Sequence, residues 1–218
     1  MDQVKLLYES GLTKLRKARL KRSLPVDNKL LSGWNGLALS SLAKAATNFD
    51  EKRYIDAGNL LSQFLTKTLW DGESLSRAKT SDGLIGATSL EDYAYVAQGL
   101  VDWGTFVSSE ETIQTAYDIV KQAWKKFYKN NGWARADQSM LATISTEEFL
   151  PDASSASPSS TIIRLSLELS ERLDDEELRS KSLSALNRGS GYLSQAPFWY
   201  VTQLAAVKKG LELQKKSQ

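Results

Sequence analysis

The chain contains no cysteine and no histidine. Without cysteine there is no disulfide framework, thiolate nucleophile or thiol redox chemistry. Without histidine, Ser-His and Cys-His triads are excluded, as are His-bearing zinc sites. Any proton transfer falls to Asp, Glu, Lys, Tyr or water. No apolar stretch approaches the roughly 20 residues that span a bilayer. The opening Met1-Asp2-Gln3 lacks the basic-then-apolar pattern of a secretory signal, so a cytoplasmic address is expected. Charge of one sign is also scarce, with a formal net charge of +2. Neither nucleic acid nor a membrane surface is an expected partner. The basic run Lys14, Arg16, Lys17, Arg19, Lys21 and Arg22 has no interleaved aromatics and reads as a solvated helix face.

What is present is ordinary for a globular fold: 41% hydrophobic and 25% charged residues in a chain of 218. Apolar spacing predicts mostly helix. The first helix runs from about Val4 to Leu20 and the second from Leu37 to Ala46. Asp50 is expected to cap a third, and a fourth spans Ser89 to Val107. Ser109, Pro158 and Asp174 or Asp175 open the next three, and Ala196-Pro197 opens the eighth.

Long connections occupy Lys21 to Ser32, Asp71 to Thr88 and Asn130 to Ser157, and short ones sit near Asn48, Ser108 and Asp174. Antiparallel helices with alternating loop lengths place every long loop on one face, and long loops usually carry function. The Gly83, Gly86 and Gly132 stretches suit small hairpins. A pair of helices cannot bury its own core and must pack on its neighbours. The expected fold is therefore all-α: helices following the long loops form an inner ring, with their N-termini at a shared funnel.

Two short signatures open helices at that funnel: Gly33-Trp34-Asn35-Gly36-Leu37 and Leu90-Glu91-Asp92-Tyr93-Ala94. Glu91 and Asp92 are the foremost acid/base candidates. On a helix they point about 100° apart, so one of them faces the funnel squarely. The competing role is capping of a helix N-terminus. Asp27 could add a second carboxylate, since glycoside hydrolysis needs two, about 5–9.5 Å apart; pairing with Lys29 or Arg22 is its alternative. Trp34 and Tyr93 offer flat walls for a sugar ring, or packing between inner helices. Asn35 suits either capping or ligand contact. Arg77 could clamp a carboxylate or phosphate, or bridge to Glu91 or Asp92. The Ser154 to Ser160 stretch reads as a flexible connector, and Trp133 and Trp199 as packing residues. No metal constellation stands out, and no cofactor is expected.

Lys21-Arg22, Asp27, Lys29 and the Trp34-Asn35-Gly36-Leu37 block resemble the C-terminal helical region of YyaL-type proteins, the thioredoxin-domain-containing group that includes spermatogenesis-associated members. Ser76-Arg77, Leu90 to Ala94 and the Asp152, Ala153, Pro158, Ser159 segment extend the resemblance in order. It implies an (α/α) toroid of the six-hairpin glycosidase class, and it brings Asp152 in as a ligand-binding candidate. About four hairpins are present where a closed toroid needs about six. Residues 1–218 are thus expected to form one partial toroid, without a thioredoxin-like domain, that self-associates or is completed by a partner chain. The implied function is binding or processing of a carbohydrate-like polar ligand in a carboxylate-lined funnel, by carboxylate chemistry if catalytic. The epimerases of this fold class use histidine, a mechanism this composition disfavours. The alternative is a non-catalytic interaction module or degenerate fragment of a YyaL-type protein.

Overall fold

A computed structural model describes residues 2–24, 26–136 and 146–216. Part of the third long connection, 137–145, lies outside the described residues, as does Met1. The α-helices are α1 Asp2–Arg19, α2 Ser32–Phe49, α3 Lys52–Phe64, α4 Leu90–Phe106, α5 Glu110–Phe127, α6 Pro158–Leu173, α7 Glu176–Arg188, α8 Ser190–Gln195 and α9 Val201–Lys216. A π-helical turn, Leu65–Leu69, continues α3. Among the described residues there are also five short strands and a 3-10 turn, Pro197–Trp199. Those of the first sheet are β1 Leu30–Leu31, β2 Ala78–Thr80 and β3 Gly83–Ile85, antiparallel in that order. β4 Tyr128–Lys129 and β5 Gly132–Trp133 form the second hairpin.

Local chemistry explains most boundaries. Ser89, Ser109, Ser157 and Asp175 each accept a backbone N–H from the first turn of their helix, satisfying a donor that would otherwise be unpaired. Two expectations need correction. Asp50 does not cap α3; it closes α2 in the left-handed conformation, φ 47°, a region Asp tolerates better than most residues. Ala196-Pro197 does not open the last α-helix either. Pro197–Trp199 is a single 3-10 turn, and the non-helical backbone of Tyr200 separates it from α9.

Successive packing runs α2 to α4 to α6 to α9, and α3, α5 and α7 each lie against the member of that row that precedes them. The row is the inner ring and the flanking helices the outer one. α4 sits between inner neighbours and under α5, so it is apolar nearly all round: Leu90, Tyr93, Val96, Leu100 and Trp103 are buried. Each such side chain contributes roughly 1.5–3 kcal/mol by leaving water. The α2–α4 crossing is backbone against backbone. A Cβ on Gly36 would lie 2.3 Å from the Tyr95 carbonyl oxygen, and one on Gly99 would lie 2.4 Å from that of Gly36. This close approach explains the second glycine of the Trp-Asn-Gly block.

The result is an open arc, an incomplete (α/α) toroid of about four hairpins. β1 of the first long connection pairs with β2 of the second, and Ser89 bridges Ala136 of the third. The long loops therefore share one face, at the N-termini of the inner helices. Large exposed apolar side chains gather towards the two ends of the arc. They include Trp34 and Leu37 on α2 at one end, and Phe198, Val201 and Leu204 at the other; Leu7 and Leu15 on α1 are exposed as well.

Candidate functional site

A cavity of about 370 Å³ opens where the first turns of α2 and α4 meet the second and third long connections. Leu31, Gly33, Trp34 and Leu37 form one wall, Ser89, Glu91, Asp92 and Tyr95 another, with Arg77, the residue before β2, and Ala153 to Ser155 completing the rim. Two other clefts, of about 270 and 90 Å³, lie between α3 and α5 and between α5 and α7.

The two acidic neighbours have separate fates. Asp92 is 7% exposed and its acceptors are committed. Oδ2 takes the Ser89 backbone N–H and hydroxyl, both at 2.9 Å, and Oδ1 takes the Ser32 hydroxyl at 3.1 Å. With Ser89 accepting the Asp92 N–H in return, this is a capping box. It also ties α4 to the start of α2. Glu91, one residue earlier, is exposed at the cavity, and no described residue hydrogen-bonds to its carboxylate. The 100° step between neighbours on a helix separates the two roles.

Arg77 is held by its backbone. Its N–H donates to the Ile85 carbonyl at 2.7 Å and its own carbonyl accepts from Ser32 N–H at 2.8 Å. Its side chain is half exposed and bridges to Asp92 as a long ion pair, Nη1 4.0 Å from Oδ2, beyond hydrogen-bond reach. Trp34 projects from the first turn of α2 and is 72% exposed. Flanking it, Gly33 and Gly36 face α4.

The remaining sequence candidates lie outside the lining. Asp27 is on the surface, where its carboxylate meets Lys29 Nζ at 2.8 Å; the hydrogen bonds from Lys29 hold its carboxyl below the usual range. Asn35 donates to the Leu31 carbonyl at 2.7 Å, securing the start of α2. Tyr93 is fully buried, and its hydroxyl accepts the Leu75 N–H at 3.1 Å. Asp152 binds Ser157 N–H at 2.7 Å and Thr202 N–H at 2.9 Å, as well as the Thr202 hydroxyl. It thus fastens the start of α6 to the start of α9.

Two lining features were not singled out from the sequence. Tyr95 donates to the Ala156 carbonyl at 2.6 Å, with the Ser155 hydroxyl 2.9 Å away. Burial raises its phenol pKa, with smaller contributions from the charges of Glu91 and Asp152, so it stays protonated. The spacing contained the signal, since Tyr95 is four residues beyond Glu91 and shares its helix face. The 153–155 segment is the other. It overlaps the Ser154 to Ser160 stretch expected as a flexible connector, and Tyr95 ties Ser155 and Ala156 to the cavity wall while Asp152 holds Ser157 just beyond. Further along, Ser157 caps α6, and Ser159 and Ser160 are buried in its first turn. Trp133 is in the core as expected, whereas Trp199 is largely exposed. Among the described residues, no group of three or more acidic side chains is placed to hold a metal ion, and no helix is long and apolar enough to cross a membrane.

No family model matches the chain. It is 29% identical over 197 residues to an uncharacterised protein of Caenorhabditis elegans, an alignment covering 84% of this chain and 26% of that protein. To human spermatogenesis-associated protein 20 it is 34% identical over 145 residues, covering 61% of this chain and 18% of the relative. The chain thus spans about a quarter or less of the length of the curated relatives it matches. Among solved structures it resembles a family 76 α-mannanase of Bacteroides thetaiotaomicron, with TM-score 0.64 at 11% identity, over 89% of this chain and 55% of that one. Solved sugar epimerases match in the same way. At such identities the likeness speaks for the fold alone: that of the six-hairpin toroids.

Proposed function

We infer that this chain, a homologue of part of spermatogenesis-associated protein 20 with the fold of an incomplete six-hairpin toroid, binds a carbohydrate-like polar ligand in the cavity between α2 and α4. The observation that carries this reading is the company kept by Glu91. A carboxylate without a partner among the described residues, an exposed indole and a guanidinium that makes only a long ion pair with Asp92 line one cavity at the N-terminal end of the inner helices. An indole face suits the apolar face of a sugar ring, and the charged groups suit its hydroxyls. Glu91 is the lining group available for acid/base work. The second carboxylate of a hydrolytic pair is not supplied by Asp92, whose acceptors are engaged in the capping box. The described lining therefore favours binding over two-carboxylate hydrolysis. A cytoplasmic location is part of the same proposal.

The test is a thermal-shift screen of neutral and charged monosaccharides on wild type, Glu91→Gln and Trp34→Ala. A bound sugar raises the melting temperature of wild type. Trp34→Ala is expected to remove that rise and Glu91→Gln to weaken it, while their ligand-free melting stays near wild type because both side chains are exposed. Identical profiles in all three proteins would defeat the reading.

A second reading, of an interaction module, draws on the ends of the arc. Apolar side chains stand exposed on α2 at one end and on α9 at the other, where a closed toroid continues with further helices. In this reading those edges dock the missing helices, carried by another chain, or another copy of this one.

A further inference from the structure

We propose that the ligand of this cavity carries an anionic group, a carboxylate or phosphate ester on a sugar-sized polyol, and that the Arg77 guanidinium receives it. The proposal rests on the binding reading above and names its ligand class.

Sorting the lining polar groups by commitment leads there. The Ser89 hydroxyl donates to Asp92, and Asp92 has three donors on its two oxygens. The Tyr95 hydroxyl is engaged with Ala156 and Ser155. Arg77 and Glu91 are the charged groups that remain, beside the neutral Trp34 indole N–H and the Ser154 and Ser155 hydroxyls. Arg77 is pinned through its N–H to Ile85 and through its carbonyl to Ser32, so the backbone on both sides of its Cα is fixed. Yet no acceptor among the described residues lies within hydrogen-bond reach of its side chain, and the nearest carboxylate oxygen is 4.0 Å off. The fold fixes the base of this side chain, and its head makes only a long ion pair with Asp92 at 4.0 Å, which leaves its N–H fork without a hydrogen-bond acceptor among the described residues.

A guanidinium presents N–H donors in a planar fork that matches carboxylate and phosphate oxygens two at a time. A neutral hydroxyl leaves part of that fork unmet. The charges facing the same cavity are Glu91 and Asp92. Asp92's charge is spread over its three hydrogen bonds, while Glu91's is unshared and accepts hydroxyls. Glu91 also repels a bare anion that brings no hydroxyl. The pair Arg77 and Glu91 therefore selects a molecule with an acidic group and hydroxyls together, over either a neutral sugar or a free anion.

The experiment is a thermal-shift titration at constant ionic strength with glucose, glucuronate, glucose 6-phosphate and inorganic phosphate, on wild type, Arg77→Gln and Arg77→Lys. On wild type, one of the two charged sugars is expected to bind about tenfold tighter than glucose, as a charge-assisted fork does relative to neutral hydrogen bonds. Which one it is distinguishes carboxylate from phosphate. Arg77→Gln should bring that sugar to the level of glucose with ligand-free melting unchanged, and Arg77→Lys should restore part of the preference. Glucose binding as tightly as both charged sugars overturns the anionic class and leaves the cavity reading standing. A preference that survives Arg77→Gln, or inorganic phosphate matching the sugar phosphate, also overturns the proposal. No shift with any compound overturns both.

Discussion

Asp92 shows how a residue can be the right type in the right place and still be occupied. An Asp three residues after a Ser at a helix start is a local capping-box pattern, and the structure forms it. The Ser32 hydroxyl, 60 positions away, takes up its other oxygen. Replacing Asp92 by Asn puts an amide N–H₂ against donors and loses the charge at the helix N-terminus. Asp92→Asn is expected to destabilise the fold by about 1–3 kcal/mol, measured by urea unfolding. Glu91→Gln should stay within about 0.5 kcal/mol of wild type in the same assay. Equal costs for both would contradict the division of roles between these neighbours. The division into one inward and one outward carboxylate follows from helical geometry alone. Which is which depends on where α2 lies.

At the scale of elements, α9 illustrates a start signal that is not local. Pro197 marks a plausible first turn by its fixed φ, yet α9 begins at Val201, where Asp152 receives the Thr202 N–H. The cap comes from a segment 50 residues earlier. Ser109, Ser157 and Asp175, by contrast, cap from within a few residues, and their helices begin within a residue or two of where spacing puts them.

α9 is clasped to α6 further along, where Glu171 accepts from Lys209 and Lys216, both at 2.6 Å. These bonds hold the Glu171 carboxyl at about 2, against 4.5 for the free group. A depressed carboxyl pKa adds stability that is fully present above 4.5 and is lost as pH falls from there towards 2. The melting temperature should thus drop more steeply across that window in wild type than in Glu171→Gln. Added salt should narrow the difference, since the cluster is partly exposed to solvent. Parallel pH curves would show that the clasp does not contribute.

For the whole molecule, the two unlike ends of the arc are the dominant feature. Apolar exposure on Leu204 and Leu211 of α9 and on Trp34 and Leu37 of α2 is costly to leave in water. Under the interaction reading, sedimentation velocity over a hundredfold concentration range should show the average mass rising above that of one chain. Leu204→Glu combined with Leu211→Glu should lower it. A single-chain mass at every concentration would argue against docking between copies of this chain at these edges. The alternation of long and short connections places the long loops on one face, while the inner row is set by the packing of α2, α4, α6 and α9 on one another.

Sequence alone determined the helical class, the hairpin order, the face carrying the long loops and the exclusion of thiol and histidine chemistry. These depend on composition, periodicity and chain direction, all of which are local or additive. Tertiary structure decided which signature residues share a cavity: Trp34, Arg77, Glu91 and Tyr95 meet there, Asn35, Tyr93 and Asp152 hold the frame around it, and Asp27 stays on the surface with Lys29. The reason is that a side chain's availability is set by what its neighbours in space take from it, and those neighbours come from helices and loops tens of residues apart.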